Sequence, residues 1–251
     1  MEGTRSAELR ALARILFDRL QPHRSNPSLE VEVRLCRFEK KRDSHVNSSS
    51  SSTAQGGLRF VEAKVTPGVS AEDYERIRAH WASNETGRAV SHSTTRDVVK
   101  NGWRYTYTTD EPTHCIACVQ KKRLFVSDIL VPPGAYNLRF SASIETCGPL
   151  PAAGDPPKVG FTRVKERHGV TDGLFRYDMT NVTTNGTVVH EVEIEGVFTE
   201  CEVQLTEAWL EELLSRAVAV ATLPKKSESR SSGYGRGIRK RCRESETMMS
   251  N

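Results

Sequence analysis

The sequence lacks the marks of several large functional classes. No run of about 18 apolar residues occurs in the chain, so no membrane-spanning helix is expected. The first ten residues, from Met1 to Arg10, are polar and hold no apolar signal core. The six cysteines, Cys36, Cys115, Cys118, Cys147, Cys201 and Cys242, are too sparse for the disulfide framework of a small secreted domain. Cys115 and Cys118 form one Cys-x-x-Cys, and no second pair completes the four ligands of a structural zinc. Reduced thiols of an intracellular protein are the expectation. There is no P-loop, because Gly233-Tyr234-Gly235-Arg236-Gly237 is not followed by Lys and Ser or Thr. Nor do Ser, Cys or His residues form a local signature for nucleophilic catalysis.

What is present is 251 residues with 37% hydrophobic and 27% charged side chains, ordinary values for one large globular domain. The net charge of +4 is unevenly placed. From Pro224 onward eight Lys/Arg face three Glu, so that tail carries +5 and the remaining body −1. Residues 1–223 read as the catalytic domain and residues 224–251 as a basic, disordered tail. Residues 43–57, with five consecutive serines at 48–52, read as a flexible surface loop.

Most of the body alternates with the period of a β-strand. In residues 29–38, Leu29, Val31, Val33 and Leu35 share one face, and Glu30, Glu32 and Arg34 the other. Residues 59–65, 90–109, 115–131, 136–146, 160–169, 174–184 and 187–197 supply further strands. Asn185-Gly186 is the strongest hairpin signal in the chain. Helices are predicted over residues 8–20, with Leu9, Leu12, Ile15, Leu16 and Leu20 at helical spacing, and from Ser70, an N-cap. A last helix spans residues 206–223, capped by Thr206. The class is mostly β (α+β), with helices near both termini. At least seven alternating strands favour closure into a barrel, which hides strand edges.

Two strands are acidic on one face. Glu30 and Glu32 project to the same side, about 6.5–7 Å apart at Cα. Glu191, Glu193 and Glu195 repeat the pattern with three carboxylates. Packed acid repels itself unless a hard cation sits there, and Mg²⁺ and Mn²⁺ prefer oxygen ligands. Other strands are basic: Arg163, Lys165 and Arg167 share a face, as do Lys121 and Arg123, and Arg104 adds another cation. Arg176, Asp178 and Thr180 share a face on the next strand. Acidic strands for a metal and basic strands for phosphates are the two halves of a phosphoryl-transfer site. Half-exposed sandwich strands with solvated glutamates would give one such strand, but explain several less well.

Taken together, these strands resemble the metal-dependent RNA 5′-triphosphatases of fungal and protozoal mRNA capping, within the triphosphate tunnel metalloenzymes. The resemblance runs from about Leu29 to Val197. It rests on Glu30 and Glu32, on Arg163-x-Lys165-x-Arg167, and on Glu191-x-Glu193-x-Glu195. It rests also on the strand from Tyr136 through Arg139 to Glu145, and on Arg176-x-Asp178-x-Thr180.

The resemblance implies an eight-stranded antiparallel barrel forming a tunnel. It implies that Glu30, Glu32 and Glu195 ligate one Mg²⁺ or Mn²⁺, with Glu193 and Glu191 in support. Arg104, Lys121, Arg139, Lys165 and Arg167 would hold phosphates, with Arg176 alongside them. Glu145 would position or activate water, and Arg163 and Asp178 would complete the catalytic set. The substrate would be 5′-triphosphate RNA, the location the nucleus, and a guanylyltransferase a candidate partner. Two alternatives are a tunnel enzyme for inorganic or nucleoside triphosphates and a non-enzymatic anion-binding barrel. The basic clusters Lys225-Lys226 and Arg239-Lys240-Arg241-Cys242-Arg243 read as an import signal or an RNA contact.

Overall fold

A computed structural model describes residues 2–39, 57–82, 88–111, 113–151 and 160–223. The serine run and the tail lie outside the described residues, as does Cys242. Ten strands form one sheet: β1 Leu29–Phe38, β2 Arg59–Val61, β3 Val65–Pro67, β4 Ala89–Lys100, β5 Trp103–Thr108, β6 Cys115–Leu130, β7 Asn137–Cys147, β8 Phe161–Asp172, β9 Phe175–Thr184 and β10 Thr187–Gly196. The long strands follow the circuit β1-β7-β6-β5-β4-β8-β9-β10, and β10 pairs again with β1. Every pairing around this ring is antiparallel. The result is a closed eight-stranded barrel, with β3 added beside β1 and β2 beside β6.

Hairpin chemistry sets the register. Asn185 and Gly186 turn at φ 49° and 78°, the paired positive values of a type I′ turn. Asn101 and Gly102 do the same at 51° and 79°. That second turn breaks the stretch at residues 90–109 into β4 and β5. It is the same two-residue signal, hidden in the sequence by continuous alternation on both sides. The single strand expected at residues 59–65 is likewise replaced by the shorter β2 and by β3, which begins at Val65, and the two pair with different partners.

The barrel is apolar on the outside and charged on the inside. Val31, Val33 and Leu35 of β1, Leu138 and Phe140 of β7, and Ile194 of β10 are almost fully buried, yet they point away from the lumen. They belong to a core shared with α1 (Glu2–Leu20) and α4 (Glu207–Ala221), which follows the single turn α3 (Cys201–Gln204). Leu9, Leu12, Leu16 and Leu20 of α1 join that core, as do Leu210, Leu213, Leu214 and Val218 of α4. Ile15 does not, being 48% exposed. It falls about 120° round the helix from Leu9, at roughly 100° per residue. Thr206 caps α4 by accepting a hydrogen bond from the Trp209 amide at 3.1 Å.

Helix α2 (Ala71–Ala82) covers β9 and β10. Ser70 and Asp73 close its N-terminus, the Asp73 amide donating to Ser70 Oγ at 3.2 Å. The Tyr74 hydroxyl donates to the Met179 carbonyl, and the Trp81 ring lies 3.9 Å from that of Tyr177. The five described cysteines are free thiols. Among the described residues no helix is long and apolar enough to cross a membrane.

Candidate active site

Strand registers bring the charged faces together in the lumen. Where β1 meets β10, Glu32 lies opposite Glu195 and Arg34 opposite Glu193. Across β7, Glu30 pairs with Ser143 and Glu32 with Ser141. Serines on that neighbour leave space beside the glutamates, and Ser143 Oγ donates to Glu30 at 3.1 Å. Thus the two acidic strands, far apart in sequence, form one seam.

The seam is crowded with negative charge. Burial pushes Glu195 up to about 7; Asp178, Glu30 and Glu193 add to the push, and Arg176 opposes it from 2.8 Å. Burial and the neighbouring Glu32 raise Glu30 as well. Glu191 is raised by burial and by Glu193. Burial would raise Glu193 too, but Arg34 at 3.1 Å and Arg167 hold it below the usual carboxylate range. The Lys121 ammonium contacts Glu30 and lies 3.2 Å from Glu32. These residues fit a hard divalent cation: the donors are all carboxylate oxygens, and three of them are held in a state that positive charge would relieve.

A second wall, with β9 between it and β10, is cationic. On β8, Arg163, Lys165 and Arg167 face inward, with Asp97 of β4 opposite Arg163. Asp97 lies 2.8 Å from Lys165 Nζ and 3.4 Å from Arg163 Nε, and it accepts a hydrogen bond from Thr106. Burial would raise Asp97, but Lys165 and Thr106 keep it below its ordinary value. Burial and the guanidinium groups of Arg163 and Arg104 lower Lys165, against the pull of Asp97. An incoming anion favours the charged form of the lysine.

Between the two walls stands β9. Asp178 accepts from Arg176 at 3.1 Å and faces Arg167 at 3.2 Å. Its other oxygen, Oδ1, and the hydroxyl of Thr180 are buried and have no hydrogen-bond partner among the described residues. Unpaired buried acceptors point to a bound group. Gly169 makes room for Asp178, since a Cβ there would sit 3.2 Å from Asp178 Oδ1 and 2.5 Å from Ser91 Oγ.

Glu145 and Arg104 meet at 3.3 Å, with Lys121 opposite Glu145 in register. Arg139 is placed differently. It is six residues, about 20 Å, down β7 from Glu145, and it grips Asp128 through two hydrogen bonds of 2.8 and 3.0 Å. Glu32, Arg34, Arg123, Arg139, Ser141 and Glu191 line a cavity of about 130 Å³ at that end.

Two lumen residues escaped the sequence reading. Asp97 is 1% exposed but sits alone among Thr, Arg and Val, and only its place opposite Arg163 reveals it. Arg34 was visible as the third residue of the Glu30 face. Its pairing with both Glu32 and Glu193 at 3.1 Å needed the β1–β10 contact.

Comparison with known proteins agrees with this geometry. The structure of the Schizosaccharomyces pombe Pct1 RNA triphosphatase superposes with a TM-score of 0.69 at 16% identity, covering 86% of this chain and 93% of that one. The Mimivirus capping enzyme triphosphatase superposes at 0.50 and 14% identity, covering 84% and 97%. At such identities the likeness is one of fold. In sequence, 85 residues are 32% identical to the mRNA-capping enzyme subunit beta of Schizosaccharomyces pombe, a segment covering 32% of this chain and 27% of that protein. Residues 24–208 match the family described as mRNA capping enzyme, beta chain, a span that takes in every strand of the barrel. The chain belongs to that family.

Proposed function

We propose that this protein hydrolyses the γ-phosphate of 5′-triphosphate RNA, giving 5′-diphosphate RNA and inorganic phosphate, as the first step of mRNA capping. The observation that carries the reading is the division of the lumen: five glutamates lie on the β1–β10 seam, and Arg163, Lys165 and Arg167 lie on β8, with β9 between it and β10. Glu30, Glu32 and Glu195 would hold Mg²⁺ or Mn²⁺, with Glu193 and Glu191 in support. Such a cation, when bound, offsets charge on the departing phosphoryl group.

This chain's own residues do the rest. Lys165, Arg167 and Arg163 bind the phosphate oxygens, joined by Arg104, Lys121 and Arg176. Their charge is concentrated in a low-dielectric tunnel, where it stabilises the transition state more than it would in water. Glu145 orients the attacking water and takes its proton, as the bond from the γ-phosphorus to its bridging oxygen breaks. Asp178 fixes Arg167 and Arg176. Arg139, held by Asp128, binds phosphate at the far end of the lumen.

Residues 1–223 form the catalytic domain, and the tail at 224–251 directs the protein to the nucleus, where a guanylyltransferase takes the diphosphate end. A reporter fused to residues 224–251 should accumulate in nuclei. An even distribution, with weaker RNA binding on truncation at Leu223, would make the tail an RNA-binding arm instead. The catalytic reading is tested by substrate competition among triphosphate-ended RNA, inorganic tripolyphosphate and ATP. Preference for tripolyphosphate would make this a small-polyphosphate hydrolase. No hydrolysis of any of them would leave an anion-binding barrel.

A further inference from the structure

Strand β8 has a second chemical face. Lys165 and Arg167 point into the tunnel, so Glu166 and His168 between and beyond them point outward. His92 of β4 is paired directly with His168. The two imidazole rings lie with centroids 4.5 Å apart. Glu166 Oε1 stands 3.6 Å from His92 Nε2 and 3.7 Å from His168 Nε2. All three donor atoms fall within 4.8 Å of one another.

We propose that His92, Glu166 and His168 form a zinc site on the outer wall of the barrel, separate from the carboxylate seam within it. Tetrahedral Zn²⁺ at about 2.0–2.2 Å from its ligands spaces their donor atoms about 3.3–3.6 Å apart. The two His–Glu distances are already close to that spacing. Closing the site requires only a small approach of the two rings. Two imidazoles and one carboxylate select Zn²⁺ or a similar transition metal over Mg²⁺, and a water completes the tetrahedron.

The carboxylate is also aimed. Its second oxygen, Oε2, accepts from the Asn181 amide at 3.3 Å, leaving Oε1 turned to the imidazoles. Asn181 Oδ1 in turn lies 2.8 Å from His190 Nδ1. Such a supporting shell fixes a ligand's orientation before the metal arrives. The site joins β4 to β8, which lie next to each other in the sheet but more than sixty residues apart in sequence. Bound zinc would therefore brace the strand pair whose inner face carries Asp97, Lys165 and Arg167.

Calorimetric titration of the full-length, metal-stripped protein with Zn²⁺, in saturating Mg²⁺ to occupy the seam, tests the site. One equivalent of Zn²⁺ should bind and raise the melting temperature. The double variant His92→Ala/His168→Ala should lose affinity by more than about tenfold, and Glu166→Ala alone should weaken it. His23→Ala should bind as the wild type does. Replacing Zn²⁺ with Co²⁺ should give the visible bands of a tetrahedral nitrogen and oxygen site in the wild type and not in the double variant. Retained phosphate release by the double variant would show that it is folded. Equal zinc affinity in the wild type and the double variant, or no zinc bound by the wild type, would overturn the proposal.

Discussion

The ammonium of Lys165 lies 2.8 Å from Asp97 Oδ2, an acid with a side chain 2% exposed and with a second cation, Arg163, at 3.4 Å. Asp97 therefore anchors the β8 cations Lys165 and Arg163. Asp97→Asn keeps the Thr106 hydrogen bond but removes the charge. Turnover should fall on the order of tenfold, with a rise in KM, because Lys165 and Arg163 lose their common partner. Unchanged kinetics in a folded Asp97→Asn protein would show that those cations are held by something else.

The seam glutamates should behave as a set. Glu30→Ala, Glu32→Ala and Glu195→Ala should each abolish hydrolysis, and the Gln variants should fail with them, since an amide keeps the shape and loses the charge. Arg59→Ala, an exposed residue of the short strand β2, is the control and should be near normal. Single-turnover assays on folded variants compare them. Near-normal rates in any two of the three Ala variants would remove these residues from the metal set.

The acidity of Glu195 predicts how metal and pH interact. Its carboxyl is raised from 4.5 to about 7, burial being the largest cause. Between those values the folded, metal-free protein binds more protons than the unfolded chain. Its stability therefore falls as pH rises through that window, and the loss is complete above about 7. Glu30 and Glu191, also raised, act in the same direction. The melting-temperature gap between Mg²⁺-loaded and chelator-treated protein should widen from about pH 5 to about pH 8. A gap independent of pH would mean that the metal does not meet these carboxylates.

Much of this was legible in the sequence, and the failures have definite causes. Alternation gave the strands, because a barrel with an apolar outside and a charged lumen sorts every second residue. Alternation is also what concealed the Asn101-Gly102 turn, since both flanking strands keep the same period. Local pattern reveals which residues share a face, not which strands adjoin. The Glu32–Glu195 and Arg163–Asp97 pairings therefore appeared only with the closed ring. The two-strand histidine pair escaped for the same reason, His92 and His168 lying 76 positions apart.

The placement of the apolar core outside the barrel makes α4 a structural element rather than a catalytic one. Leu213 is fully buried between α4 and the barrel wall. Leu213→Ala should cost about 2–5 kcal/mol of stability, with little change in turnover below the lowered melting temperature. Thermal denaturation paired with activity at low temperature separates the two. A loss of turnover in protein that remains folded would show that the helix shapes the lumen directly.

The acidic seam and the cationic wall should act together to remove a γ-phosphate from RNA. Phosphate release from γ-labelled 5′-triphosphate RNA, by the wild type and Glu195→Ala, with Mg²⁺ or Mn²⁺ and with chelator, tests it most directly. Inorganic phosphate and a 5′-diphosphate end should form only with the wild type and metal together. Release by Glu195→Ala at the wild-type rate, or by the wild type in chelator, would contradict it.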